Sequence, residues 1–268
     1  MEGLSMKTGL LLLSTILVGG AAWARPASNG NRLSVSQGIS SPASTSPVNY
    51  SSGFTATNPS VASRLTGPQI SIEYDKGDDD AGNDSSAVGA ELGLGNGQVG
   101  AVLGYYDRDC TNCDGRWGGM IGVNTGSFSF GVGYREEKHY SLGALFGGNG
   151  NHRFGLTADL TEEDSGNDVT AYGAGYSYLG GSWVFAVDAS KRDQKGSVSN
   201  DVVLVTPGLM IQADWLAVSV SYDVYTNDKD DVFDDEVWFG VGIGGDKAHL
   251  AIYHDYVNDW ALVGTFSF

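Results

Sequence analysis

Residues 215–225 read WLAVSVSYDVY, and their side chains alternate strictly in character. One set is aliphatic or aromatic and comprises Leu216, Val218, Val220, Tyr222 and Val224. The other set is small or polar and comprises Ala217, Ser219, Ser221 and Asp223. A period of two over about ten residues indicates a β-strand with two different faces. The same alternation recurs along the chain and predicts fourteen strands, at about 68–75, 86–95, 97–107, 116–124, 127–136, 140–147, 152–161, 168–178, 182–191, 201–211, 215–225, 236–244, 247–256 and 260–268.

The connectors between these segments also alternate, in length. Every second connector is short and contains Gly, Asn or Asp, as in 95–97 and 180–181, which is typical of hairpin turns. Most of the others are longer and more charged, as in 76–85 and 227–235. The connector at 137–139 is a short exception, so the fifth and sixth strands are the ones most open to miscounting, and twelve strands is the alternative. The strands are therefore predicted to be joined by short turns at one end of the sheet and by longer, charged loops at the other end.

These patterns predict an all-β fold, a transmembrane antiparallel up-and-down β-barrel with an N-terminal plug-like coil. Strands of ten residues, an even strand count, short turns at one end and aromatic strand ends are typical of outer-membrane barrels. A closed barrel pairs every backbone group inside a lipid bilayer. A water-soluble sandwich is the alternative, but the polar-side positions here are largely Gly, Ala and Ser. The short turns are predicted to face the periplasm and the acidic loops the outside.

The N-terminal 66 residues differ from the rest of the chain. Residues 1–24 have a basic Lys7, an apolar run from Leu10 to Val18 and an Ala22-Trp23-Ala24 cleavage site, which predicts a signal peptide and export. The apolar run is shorter than the ~20 residues of a spanning helix, which disfavours an N-terminal anchor. Residues 25–66 are predicted to be either a plug in the lumen or a periplasmic segment, and 67–268 the barrel.

Composition excludes several classes of protein. The chain has 40 Gly and 6 Pro without a Gly-X-Y period, which excludes collagen. It has 32 acidic and 15 basic residues, so it lacks the basic surface of a general nucleic-acid binder. Two Cys are too few for a scaffold built on disulfides.

The predicted inner face carries several charged side chains, because on the lipid face each would cost a few kcal/mol. The lumen-lining candidates are Glu73, Glu91, Asp159, Asp188, Asp223, His249 and Asp255. They indicate either a wet, hydrogen-bonded lumen or an acid-lined path that favours cations or polar solutes. Pro207 interrupts the tenth strand and cannot donate to its ladder, which marks a bulge, a lateral notch or a local kink.

Residues 54–75, FTATNPSVASRLTGPQISIEYD, resemble the start of the barrel in the FadL-like family of outer-membrane transporters for long-chain fatty acids and other hydrophobic compounds. That family has an Asn-Pro-Ala motif, a short coil and then the first strand. Asn58, Pro59 and Ser60 stand at the motif here. The resemblance implies fourteen strands, a lumenal plug that controls passage, and a substrate that leaves sideways through a kinked strand.

Other kinds of functional site have weaker support in the sequence. Cys110 and Cys113 form a C-x-x-C in an outer loop, where a small disulfide is expected and zinc lacks further ligands. The acidic runs do not have the spacing of a calcium loop, so no metal and no cofactor is expected. An Asp/His hydrolase using His249 or His254 has no nucleophile motif to support it, and we expect no enzymatic activity.

The sequence thus predicts a passive outer-membrane channel for small hydrophobic or amphipathic molecules, gated by an N-terminal plug. The alternative is a non-transporting surface barrel whose acidic loops contact partners or divalent cations. The expected partners are outer-membrane lipid, lipopolysaccharide, a small-molecule substrate that the sequence does not name, and the barrel-assembly machinery, which would read the aromatic C-terminal strand ending at Phe268.

Overall fold

Among the residues that it describes, the computed structural model has fourteen antiparallel strands that form a closed barrel. Each strand pairs with its neighbours in sequence, and β1 pairs with β14 to close the sheet. The structure describes residues 58–78, 84–109, 115–136, 138–147, 151–162, 169–180, 182–194, 201–213, 215–226, 236–244, 248–255 and 260–268.

The strands match the segments predicted from the period-two pattern. They are β1 (Gln69–Asp78), β2 (Asp84–Gly95), β3 (Val99–Asp109), β4 (Arg116–Asn124), β5 (Phe128–Arg135), β6 (His139–Phe146), β7 (His152–Thr161), β8 (Val169–Leu179), β9 (Trp183–Gln194), β10 (Asp201–Gln212), β11 (Leu216–Thr226), β12 (Glu236–Gly244), β13 (Ala248–Asp255) and β14 (Trp260–Ser267). The prediction of fourteen strands is confirmed. The alternative of twelve is wrong, because β5 and β6 are separate strands.

The two faces of the sheet differ as the alternation predicts. In β4, Trp117, Ile121 and Val123 are exposed, whereas Met120 and Gly122 between them are buried. The exposed side chains are the apolar ones, so the outer face suits lipid and the small or polar residues face inward. Among the described residues, no helix is long and apolar enough to cross a membrane.

Aromatic side chains cluster near both ends of the outer face. At the end with the longer connectors the ring pairs are Tyr74–Trp260 at 5.2 Å, Tyr105–Trp117 at 4.8 Å and Tyr134–Tyr140 at 5.4 Å between centroids. At the short-turn end they are Phe128–Phe146 at 5.1 Å, Phe154–Tyr176 at 5.0 Å and Tyr178–Trp183 at 5.2 Å. Two aromatic girdles around an aliphatic band match the two interfaces of a bilayer.

The short turns have the backbone geometry that their sequences predict. Gly97 and Gly126 have φ angles of 81° and 98°, in the left-handed region that favours glycine. Asn96 Oδ1 accepts hydrogen bonds from the backbone N–H groups of Gln98, at 3.0 Å, and Val99, at 2.9 Å. These side chain–backbone hydrogen bonds stabilise the hairpin turn between β2 and β3.

Pro207 lies within β10 without breaking its register. The ladder to β9 continues through Pro207, which stands opposite Val187. The ladder to β11 stops at the pair Val205–Val224 and resumes at Gly208–Ser221, with equal numbers of residues on both strands. Since neither strand has an extra residue, the bulge that the sequence suggested is absent. The local defect is instead the loss of two consecutive ladder pairs with β11, at Thr206 and Pro207.

Candidate functional site

A short 3₁₀ helix, Pro59–Arg64, lies inside the barrel and is called here the lumen helix. It packs against the inner faces of β2 to β6. Pro59 to Ser63 are buried, and so are Asn58 before the helix and Leu65 after it. Pro59 suits the first helical position because its fixed φ is already helical and its missing N–H has no partner to lose there.

The seat of the lumen helix is a row of glycines, called here the glycine row: Gly95, Gly100, Gly122, Gly131 and Gly143. Each is the direct register partner of the next, so the row crosses five adjacent strands. The row leaves a strip of the inner wall without side chains, which allows another backbone to approach closely.

A side chain on the glycine row would collide with the lumen helix. A Cβ atom added at Gly122 would stand 2.7 Å from the backbone nitrogen of Ser63. Added at Gly100 or Gly131, it would overlap the backbone of Ala62 or of Pro59 and Ser60. These obstructions are backbone atoms, so a small rotation of a side chain does not relieve them. Glycine is therefore needed here for contact with the helix rather than for a turn.

Asn58 fixes the start of the lumen helix to the barrel wall. Its Oδ1 accepts hydrogen bonds from the Ser60 backbone N–H at 3.1 Å and from the Ser60 hydroxyl at 2.7 Å. Its Nδ2 donates to the carbonyl oxygens of Ala144 in β6, at 2.9 Å, and of Leu156 in β7, at 3.2 Å. An amide side chain has two donors and two acceptor sites. All four are used, so Asn58 caps the helix and ties it to two strands at once.

The other end of the lumen helix is fixed as well. The Gly97 backbone N–H, in the β2–β3 turn, donates to the Leu65 carbonyl at 2.6 Å. Leu65 packs with Ala62, Val102 and Met120 in one apolar cluster. The helix is thus held by hydrogen bonds at both ends and by burial between them, at the short-turn end of the barrel.

A second polar cluster lies on the inner face at the opposite end of β5 to β7. His139 Nδ1 is 2.7 Å from Thr161 Oγ1, and its Nε2 is 3.6 Å from Asp159 Oδ1. Arg135 is buried beside them and acts electrostatically on Asp159. The cluster joins three neighbouring strands through side chains as well as through the ladder. The half-buried Asp159 thus has a histidine and an arginine of neighbouring strands close by, which favours a structural role.

A third inner-face region spans β9 to β11. Val184, Ala186, Met210 and Ala217 form a buried apolar cluster there. Two residues further along β9, Asp188 is 1% exposed and stands in register with Thr206, which is also buried. The wall therefore changes from apolar to polar along the strands.

The lumen-lining candidates lie in the following places. Glu91, Asp159 and Asp188 occupy inner-face positions of β2, β7 and β9, and Asp159 alone of these is within a short distance of His139. Glu73, Asp223, His249 and Asp255 occupy strand positions, but their side chains lie outside the described residues. Cys110 and Cys113 lie outside them too. His254 is exposed on the outer face of β13, so it does not face the lumen.

The sequence motif located the lumen helix but not its seat. Asn58, Pro59 and Ser60 are the first residues of the site. The glycine row was missed, because the glycines are far apart in sequence and only the strand register aligns them. The signal available was an inner-face glycine close to each short turn. Within the described residues, no group of three or more His, Cys, Asp or Glu could hold a metal ion.

Comparison with known proteins gives relatives by fold only. No protein-family model and no curated protein matches the chain. A solved bacterial polysaccharide outer membrane secretin has a TM-score of 0.56 and 13% identity, covering 76% of this chain and 99% of its own. The TodX deltaS2S3 mutant monoaromatic hydrocarbon channel has a TM-score of 0.56 and 12% identity, covering 89% and 99%. The CymD monoaromatic hydrocarbon channel has a TM-score of 0.52 and 9% identity, covering 79% and 91%. The chain has the fold of bacterial outer-membrane β-barrels.

Proposed function

We propose that the protein is a passive outer-membrane channel for small hydrophobic or amphipathic molecules, akin to the FadL-like transporters. In this proposal residues 25–66 form the plug, and its fixed end is the segment from Asn58 to Leu65. The observation that carries the proposal is the lumen helix seated on the glycine row. A barrel needed only as a surface structure has no use for five aligned glycines that admit a helix into its lumen.

The position of the lumen helix supports a partial obstruction rather than a filled barrel. The helix packs on β2 to β6. A barrel of this strand number is wider than one filled by its own side chains. The lumen helix does not pack on the wall from β8 to β12, whose inner-face residues are buried. In the proposal a path past the helix would run along this wall once the remainder of residues 25–66 moves aside.

Two of the three fold relatives named above support an apolar solute, whereas the third is described as a polysaccharide secretin. TodX and CymD are described as monoaromatic hydrocarbon channels, and this chain shares their fold at 12% and 9% identity. The inner wall here carries the buried apolar cluster of Val184, Ala186, Met210 and Ala217, which suits an apolar molecule better than a wholly polar lumen does.

The defect beside Pro207 is the proposed site of sideways release. The other ladders run without internal gaps through their described pairs, whereas the β10–β11 ladder lacks the positions of Thr206 and Pro207. Proline has no N–H to restore them. A seam with fewer hydrogen bonds opens at lower cost than its neighbours, so a solute bound at the β9–β11 wall has a short route to the lipid.

The proposed location is the outer membrane, reached with the signal peptide of residues 1–24. The proposed assembly signal is the last strand together with Phe268, which directly follows it. Phe268 is exposed, and its N–H donates to the Pro68 carbonyl at 3.0 Å. Lipid, lipopolysaccharide and its bound divalent cations are the proposed surroundings of the outer loops.

Uptake of an apolar dye by intact cells tests this function. N-phenylnaphthylamine is excluded by an intact lipopolysaccharide leaflet and fluoresces once it reaches lipid. Cells that make the protein should show faster dye uptake than cells with an empty vector, whereas entry of a large hydrophilic probe should be unchanged. Uptake equal to the empty-vector rate would contradict transport and favour the non-transporting surface barrel.

A further inference from the structure

The inner wall of β9 to β11 combines an apolar surface with a polar recess. The apolar part consists of Val184 and Ala186 on β9, Met210 on β10 and Ala217 on β11, all at most 7% exposed. Val184 is the register partner of Met210. Together they form one surface near the short-turn end.

The polar recess begins directly beyond this surface. Asp188 follows Ala186 by two residues on the same face of β9, so the two positions are about 7 Å apart. Thr206 stands opposite Asp188 in the ladder and is fully buried. The carboxylate of Asp188 and the hydroxyl of Thr206 thus lie directly beside the apolar surface.

Two features indicate that the recess is built to hold a further group. Ser190 is 6% exposed, and its hydroxyl has no hydrogen-bond partner among the described residues. Buried hydroxyls are normally paired, so an unpaired one calls for a ligand or a water. The neighbouring strand β8 presents Gly175 opposite Asp188 and Gly173 opposite Ser190, so β8 places no side chain beside them. On the other side, the buried Leu204 of β10 lies opposite Ser190.

The chemistry of the recess selects the class of ligand. A carboxylate shielded from bulk water attracts a cation more strongly than one at the surface. An ammonium group has three donors, which suit Asp188, Ser190 and Thr206 together. The adjoining apolar surface suits a short alkyl or aromatic body. A carboxylate-bearing solute would meet repulsion from Asp188 instead.

We infer that this wall is a binding site for small amphipathic amines, with the ammonium at Asp188, Ser190 and Thr206 and the apolar body on Val184, Ala186 and Met210. The inference deepens the proposed function and rests on it for access, because the recess is shielded from water in this structure. It assigns a solute class to a part of the wall on which the lumen helix does not pack.

Current block in planar bilayers tests the site. Three probes of one shape are compared: benzylammonium, benzyl alcohol and benzoate. They are applied to the full-length protein and to Asn58→Ala, in which the lumen helix is loosened. Benzylammonium is expected to reach half block at a concentration about tenfold below that of the other two, in at least one of these proteins.

Two substitutions test whether Asp188 causes the preference for the amine. Asp188→Asn should abolish the preference for the amine while leaving block by benzyl alcohol intact. Glu91→Gln removes an inner-face carboxylate on β2, on the wall that carries the lumen helix, and should keep the preference. Equal block by the three probes in both proteins, or a preference that survives Asp188→Asn, overturns the inference. Conductance that is unchanged by Asn58→Ala counts against the proposed function alone.

Discussion

Gly131 shows how one missing side chain decides what the lumen can hold. It stands in the middle of the glycine row, and an added Cβ would overlap the backbone of Pro59 and Ser60. Gly131→Ala is expected to destabilise the folded protein by about 1–3 kcal/mol, the usual cost of overpacking a buried contact. Guanidinium unfolding in detergent measures the change.

Gly133 supplies the matched control for Gly131. It lies two residues further along the same face of β5, and its added Cβ would meet the Ser141 hydroxyl, which can rotate away. Gly133→Ala should therefore cost clearly less than Gly131→Ala. Equal destabilisation by the two substitutions would show that the lumen helix is not seated on the glycine row.

His139 links strands β6 and β7 through its side chain. It is 3% exposed and joins Thr161 to Asp159 on the inner face. His139→Ala removes the hydrogen bond to the half-buried Thr161 and the contact with the half-buried Asp159, and should lower the unfolding free energy by about 1–3 kcal/mol. The double variant His139→Ala with Asp159→Ala should cost less than the sum of the single substitutions. Strict additivity would contradict a direct coupling of the two residues.

At the scale of the element, β10 is the strand with an interrupted ladder. Pro207→Val supplies a backbone N–H towards β11 and should raise the unfolding free energy by about 0.5–1.5 kcal/mol. It should also slow uptake of the apolar dye if the β10–β11 seam is the exit. Leu209→Val, an outward position of β10 with its ladder pair intact, is the control. A faster dye uptake in Pro207→Val would rule out the seam.

Some structural features of this barrel can be predicted from local sequence, and others depend on the strand register. Strand β11 follows from Leu216 to Val224 alone, because a period of two is a local property of the chain. The start of the lumen helix follows from Asn58 and Pro59, a cap and a first-turn residue. The glycine row and the His139–Asp159 pair depend on the register of strands that are distant in sequence, and no local pattern encodes that register.

At the scale of the whole molecule, the barrel has two unlike ends. The short turns, including Ser127, lie at the end that holds the lumen helix, whereas Glu162 is exposed at the opposite end. In a chain with Cys110 and Cys113 changed to Ser, a membrane-impermeant maleimide should label Glu162→Cys on intact cells. It should label Ser127→Cys only after the outer membrane is permeabilised. The reverse labelling pattern would show that the barrel has the opposite orientation in the membrane.

We propose that the segment from Asn58 to Leu65 obstructs the lumen because Asn58 and the glycine row hold it there. Single-channel conductance of Asn58→Ala tests it most directly, because the change removes four hydrogen bonds that fix the segment to itself and to β6 and β7. Thr125→Ala is the control, since the Thr125 hydroxyl donates to the Phe128 carbonyl within the β4–β5 turn. We expect a larger or more frequently open conductance for Asn58→Ala and no change for Thr125→Ala. Identical conductance in the wild type and Asn58→Ala would contradict it.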